Sequence, residues 1–292
     1  MRIHRWISII LAGLCAGCGG GGGTDELAQD AAAAVDTYVV LDLATGKVLP
    51  AGSDPATVEA DPANRTSRIL FRRITAGTGT IGCPGNLSLE NERDTQTVAH
   101  AEFLYAVFEL SQTQWELLAG TTPWTSPQFD GAFTDKRQAI GALLPAWGMS
   151  CQQAQEAAEA WSRDGWTVGL PTSNEWEIAC RAGTAINLFP WGNLTDAALA
   201  RNRAVFWDLS IADPLPIAIG SRSANAWGIH DAIGNVWEFA LPDATPDAKV
   251  ELRGGAYDQP LVVCRASNRL ALPRDLSTSV AGVRLVLRRT GG

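Results

Sequence analysis

The stretch Asn225-Ala-Trp-Gly-Ile-His-Asp-Ala-Ile-Gly-Asn-Val-Trp-Glu238 decides how the rest of this 292-residue chain is read. Two features stand out in it. A glycine-asparagine turn lies between two carboxylates, Asp231 and Glu238, and two tryptophans bracket the segment. Upstream lie Gly169-Leu-Pro-Thr-Ser-Asn-Glu-Trp-Glu177, Cys180-Arg-Ala-Gly183 and Phe189-Pro-Trp-Gly-Asn193. Downstream lie Arg253-Gly-Gly-Ala-Tyr257, Cys264-Arg-Ala-Ser-Asn-Arg269 and Gly282-Val-Arg284. Short motifs of Gly, Trp and Arg separated by irregular stretches predict loops pinned by large side chains. The 11 Trp and 29 Gly of the composition agree with that reading.

In order and spacing the series resembles the formylglycine-generating enzyme family, the sulfatase-modifying factors. The resemblance implies a loop-rich, C-type-lectin-like α+β domain over residues 37–290. It also implies a chemistry. Catalytic members carry two cysteines after Arg-Gly-Gly, which hold one copper(I) and oxidise a substrate cysteine to formylglycine. A linear two-thiolate site suits that soft ion. Here the run is Tyr257-Asp-Gln-Pro-Leu-Val-Val-Cys264, with one thiol only. Counting forward from Gly255 puts Gln259 at the first cysteine position and Cys264 at the second. Counting back from Arg269 and Arg284 makes Cys264 a structural residue, and this count rests on more matched positions. Copper is therefore not expected, and the chain reads as a non-catalytic binding or structural member with a protein, peptide or glycan ligand. The alternative is a formylglycine-generating oxidase. Relatives include variable binding proteins, whose variable surface falls on Asp258–Thr278 here.

The resemblance further implies structural calcium at Asp231, Ala232, Gly234, Val236 and Glu238. Hard cations take carboxylates and loop carbonyls in this manner. A turn at Gly234-Asn235 with Trp237 in the core is the alternative. A second calcium site would begin at Asn202, with Asp213 as a partner. The resemblance also pairs Cys180 with Cys264 as a disulfide. It leaves Cys83 and Cys151 without an assigned pairing. A related three-His iron site is not expected, because His100 and His230 are distant and lack helical ligand spacing.

Other features bound the class. With 46% hydrophobic residues the chain can bury a large core. A net charge of −8 without a basic cluster argues against nucleic acid. Arg2 and Arg5 precede the apolar stretch Ile7–Ala16, too short to span a bilayer. The sequence Leu14-Cys-Ala-Gly-Cys18 resembles a lipoprotein cleavage site. Residues 1–17 are then a signal peptide, Cys18 the lipidated residue, and 18–36 a Gly/Ala-rich linker. An ordinary secretory signal is the alternative. This reading places the protein outside the cytosol, on a bacterial envelope, touching membrane through its lipid alone.

Local signals give the elements. Ser111 with Gln114, Ser150 with Gln153, and Thr172 with Glu175 are three helix-start boxes. A hairpin is expected at Tyr38–Leu49 and strands at Ile69–Ile74 and Phe103–Phe108. Asp54–Arg65 reads as a Pro-rich loop, and Gly77–Gly82 as a glycine-rich continuation of the preceding strand. Leu252–Gly255 and Gly282–Leu287 read as short C-terminal strands. Glu177 is expected to meet Arg181 at four-residue spacing. Arg253, Arg269 and Arg284 are expected to hold loops, and Trp191, Trp227 and Trp237 to pack in the core.

Overall fold

The hairpin forms where the turn residues predict it. β1 (Tyr38–Asp42) pairs antiparallel with β2 (Val48–Gly52). Asp42 Oδ1 accepts from the backbone N–H groups of Ala44 and Thr45 at 3.1 and 2.9 Å, closing the turn. The computed structural model describes residues 37–133, 135–184, 186–193, 195–208, 212–243 and 249–290. The signal segment, the linker and Cys18 lie outside them.

The stretch Asp54–Arg65 is not the expected loop. It forms α1 (Pro55–Ala60) and a 3-10 turn (Pro62–Arg65). Asp54 and Asp61 each accept from a backbone N–H at the start, and a proline follows each. Proline at the first helical position lacks only a donor that the helix would leave unpaired.

The chain continues as β3 (Arg68–Ile74), β4 (Gly77–Ile81), β5 (Gln96–His100) and β6 (Phe103–Ala106). The glycine-rich segment is thus a separate strand, β4, paired antiparallel with β5. Next come α2 (Gln112–Ala119), α3 (Cys151–Glu159), β7 (Trp166–Gly169) and α4 (Ser173–Arg181). All three helices begin with the expected reciprocal capping box. Gly120 closes α2 at φ 67°, the left-handed conformation that glycine adopts without strain. The last elements are α5 (Ala197–Ala200), β8 (Trp237–Ala240), β9 (Lys249–Arg253), β10 (Arg269–Pro273), β11 (Ala281–Gly282) and β12 (Val286–Arg289).

The strands build a six-stranded sheet, β2-β1-β3-β6-β12-β7, and a four-stranded sheet, β10-β9-β8-β11. The run Gly282–Leu287, expected as one strand, is divided between them. β11 joins the smaller sheet and β12 the larger, which leaves Arg284 at the crossing.

The main core packs the first sheet against α2, α3 and one face of the second sheet. Trp115, Trp147, Phe71 and Phe239 are all within 2% of complete burial there. Each such side chain contributes roughly 1.5–3 kcal/mol by leaving water. Trp147 Nε1 donates to the Ala139 carbonyl at 3.0 Å, so its one polar atom is not orphaned. A second cluster gathers Trp176, Ala179, Cys180, Phe189, Phe206, Ile233 and Cys264 beneath the C-terminal loops. Among the described residues no helix is long and apolar enough to cross a membrane.

Candidate functional site

The four-stranded sheet positions the site through its two-residue alternation. Its ladder sets Glu238 opposite Arg253 and Arg253 opposite Arg269. The adjacent row sets Phe239 opposite Leu252 and Leu252 opposite Leu270. One face is therefore charged and the other apolar. The charged face is the one covered by α4.

Glu177 of α4 lies at the centre of that face, fully buried. Its Oε2 accepts from Arg253 at 2.6 Å and Arg269 at 3.1 Å, and Oε1 from Arg181 at 2.9 Å and the Gly82 N–H at 2.7 Å. Burial pushes this carboxyl up, but Arg253, Arg181, the Gly82 amide and Arg269 outweigh it and hold Glu177 below the usual range. Arg269 is pulled down to about 10 by burial and by neighbouring Arg253. The expected Glu177–Arg181 pair exists, but it is one side of a three-arginine cluster. The partners at 253 and 269 left no local signal. Arg253 also donates to the carbonyls of Ala266, Ser267 and Asn268 at 2.9, 3.2 and 3.0 Å. Arg284 embraces Glu238 at 2.6–2.9 Å and donates to the carbonyls of Ala106, Val107 and His230. The three arginines hold loops, as expected, by a planar fork on carbonyl oxygens.

A cleft of about 420 Å³ lies on the other side, at the β10 edge of the sheet. Trp237, Leu252, Leu270 and Leu272 contribute from the strands, and Val263, Leu276 and Val280 from the loops. Its polar lining is Asn91, Gln259, Asn268 and Thr278, with no ionisable side chain. Gln259 thus reaches the cleft, whereas Cys264 does not line it. The loop between them leaves Gly254-Gly255, both at positive φ. A Cβ on Gly255 would stand 2.4 Å from Cys264 Sγ, so glycine is required for the loop to fold over this thiol.

Cys264 is completely buried, and burial pushes its thiol up to about 12. Its Sγ faces the carbonyls of Ala256, Gln259 and Pro260 at 3.7–3.9 Å. Cys180 is also buried, pushed up to about 12, with Sγ 3.9 Å from the Ala232 carbonyl. The expected Cys180–Cys264 disulfide is a correction: both residues share one apolar cluster, but each is a free thiol facing carbonyls. Cys83 and Cys151 are free and buried as well. A copper(I) ion does not fit the cleft, whose lining offers carboxamides and a hydroxyl but no sulfur.

The calcium set behaves differently from expectation. Glu238 has Arg284 as its partner, and Trp176 Nε1 donates to the same carboxylate at 2.6 Å. Both its oxygens are therefore engaged and its charge is balanced. Asp231, at φ 53°, accepts from the Gly220 N–H at 2.5 Å through Oδ2, while Oδ1 is buried without a hydrogen-bond partner. The Ala232 carbonyl faces Cys180, and the Val236 N–H donates to Glu109 at 3.2 Å. Gly234 packs so closely on the Val205 backbone that a Cβ would lie 2.0 Å from its carbonyl oxygen. The five residues thus do not fit a calcium ion that needs both carboxylates. Among the described residues no three His, Cys, Asp or Glu side chains group to hold a metal. Asn202 and Asp213, expected for a second site, are both exposed.

Glu109 is the residue that the sequence hid, enclosed in the apolar run Val107–Leu110. Burial first, then Asp231 and Glu238, push its carboxyl well above the ordinary range. Burial also raises Asp231. The histidines stay apart: His100 meets the Ala101 carbonyl, and His230 lies on Phe108 and contacts the Arg222 carbonyl and Glu59. Trp237 is buried, whereas Trp191 and Trp227 are half-buried against the second cluster.

Three comparisons define the relationship. The bovine (Bos taurus) inactive C-alpha-formylglycine-generating enzyme 2 is 31% identical over 100 residues, covering 30% of this chain and 32% of that protein. The formylglycine-generating enzyme of Mycobacterium tuberculosis is 30% identical over 117 residues, covering 38% and 36%. The chain thus spans about a third of the length of these relatives. The structure of PvdO from Pseudomonas aeruginosa superposes with a TM-score of 0.62 at 19% identity, covering 75% of this chain and 94% of that one. The fold is accordingly the α+β, C-type-lectin-like architecture of sulfatase-modifying factors. Residues 55–289 match the sulfatase-modifying factor enzyme 1-like domain from helix α1 through strand β12, and the chain belongs to that family.

Proposed function

We propose that this chain is a binding member of the family and not a cysteine oxidase. The observation that carries the reading is the place of Cys264. It is the only cysteine after residue 180, and it lies beneath the Arg-Gly-Gly loop with a thiol raised to about 12. A single sulfur turned toward backbone carbonyls offers copper(I) one ligand where a linear site takes two. The cleft lined by Gln259 and Val263 keeps an apolar floor and neutral hydrogen-bonding groups, which suit recognition. Formylglycine-generating and inactive relatives both match this chain, so the family accommodates either outcome. The proposal includes export and attachment to a bacterial envelope through lipidated Cys18, supported by the signal-like sequence before it.

The test is copper(I) titration of the full chain against a competing chelator, followed by incubation of a cysteine peptide with copper and oxygen. No stoichiometric copper binding and no aldehyde product are expected. Tight one-to-one copper with aldehyde formation would overturn the reading and make the chain an oxidase. Attachment is tested separately: Cys18→Ser should move the protein out of the membrane fraction.

A further inference from the structure

We infer that the cleft beside β10 and its apolar rim dock an extended, uncharged polypeptide segment of a partner protein, with a large apolar side chain as anchor. This rests on the binding reading above and names the ligand class.

The surface around the cleft is unusual in its apolar content. Nine large hydrophobic residues of the described chain are exposed. Leu270 and Leu276 line the cleft, and Val262 adjoins its wall residue Val263. Leu87 and Leu89 belong to the loop that brings Asn91 to the cleft. That loop is fixed to the C-terminal segment: Glu92 pairs with Arg265, and the Leu87 carbonyl accepts from Arg265 at 2.9 Å. Five of the nine therefore belong to the cleft or to segments that build its wall. An antiparallel sheet ordinarily turns polar side chains outward. Here the ion-pair row Glu238–Arg253–Arg269 is buried, and the apolar row ends in Leu270, 45% exposed. Concentrated apolar exposure of this kind marks an interaction surface.

The chemistry selects among ligand classes. With no ionisable group in the lining, an entering charge would be desolvated without a counter-ion, which is costly. An anionic lipid surface would call for basic side chains, and none lines the cleft. A sugar would call for an open aromatic face, but Trp237 is 4% exposed. A polypeptide fits best, because β10 is an edge strand paired with β9 alone among the described strands. Asn91 Nδ2 donates to the Arg269 carbonyl at 2.6 Å, so that group faces away from β9. By strand alternation the backbone groups of exposed Ala271 face the same way and can pair with an added strand.

The test uses full-length protein and blocked decapeptides of Val, Thr and Ser carrying Phe, Asp or Lys at the centre. Binding is read by fluorescence anisotropy. The Phe peptide should bind at least tenfold more tightly than the Asp and Lys peptides. Leu270→Asp and Leu276→Asp should each weaken it at least tenfold, while Leu199→Asp, an exposed leucine on α5, should leave it unchanged. Equal binding of all three peptides, no loss with Leu270→Asp, or an equal loss with Leu199→Asp would overturn the inference. Preferential binding of a neutral oligosaccharide or of anionic vesicles, lost in Leu270→Asp, would also overturn it. These outcomes are independent of the copper and aldehyde assay, so the failure of either idea is recognisable by itself.

Discussion

Replacing Glu177 by glutamine removes one carboxylate from among three guanidiniums while keeping the side chain's shape. What remains for each arginine sets the size of the effect. Arg269 keeps Glu251 at 3.1 Å. Arg181 keeps the carbonyls of Gly82 and Asn187 at 2.7 and 2.8 Å. The Gly82 N–H can still donate to the glutamine oxygen. Arg253, completely buried, keeps three carbonyls and the Trp176 ring but no counter-charge. Breaking a buried pair from one side costs about 3–5 kcal/mol. For a domain of this size that lowers the melting temperature by about 6–20 °C. The pH dependence has a definite sign. Glu177 is held below its ordinary value in the fold, so its contribution is full above the unfolded carboxylate pKa and is lost as pH falls through the folded one. The difference between wild type and Glu177→Gln should therefore be full at pH 7 and shrink in acid. Urea and thermal melts across that range measure it. The double variant Glu177→Gln/Arg253→Met should be less damaged than the sum of the single variants, because it removes the orphaned charge. A loss below about 1 kcal/mol at pH 7, or strict additivity in the double variant, would refute the reasoning.

Three further outcomes follow from the same geometry. Gly255→Ala should destabilise by about 2–5 kcal/mol in urea titration, since a Cβ there combines positive-φ strain with a clash against Cys264. Asp231→Asn should be neutral or stabilising at pH 7 in thermal melts, because it removes a buried charge facing Glu109 at a left-handed position that asparagine tolerates. Both carboxyls have raised folded values, so their contribution is full below the unfolded carboxylate range and is lost as pH rises through the folded ones. The variant should lose stability less steeply than wild type over that rise. Iodoacetamide at pH 8, read site by site by mass spectrometry, should leave Cys83, Cys151, Cys180 and Cys264 unlabelled until urea unfolds the chain. Native labelling of Cys264 would contradict its burial.

Signals within a few residues of each other were legible in the sequence. The capping boxes at Ser111, Ser150 and Thr172 fixed three helix starts because each box is closed by side chains three positions apart. The same chemistry was present at Asp54-Pro55 and Asp61-Pro62, where prolines suggested loop although proline favours the first turn of a helix. Strands β7, β8 and β10 escaped because four or five residues give too little alternation to stand out among loops. The charge cluster was only partly readable. Arg181 is one helical turn from Glu177, but Arg253 and Arg269 arrive through the sheet register, which no local pattern encodes. The resemblance implied a disulfide between Cys180 and Cys264; the two share a cluster, but their sulfurs turn to carbonyls and not to each other. Asp231 and Glu238 face a different chemistry from the expected cation because Arg284, at the strand division, takes Glu238.

Arg253 grips positions 266, 267 and 268 through carbonyl oxygens, which all twenty amino acids possess. Its hold on that segment is indifferent to the side chains displayed there. Exposed positions on the nearby edge, Leu270 and Leu276 among them, can be exchanged while the frame beneath stays the same. A lineage carrying this buried arginine could rewrite what the protein recognises, one outward residue at a time, without relearning how to fold.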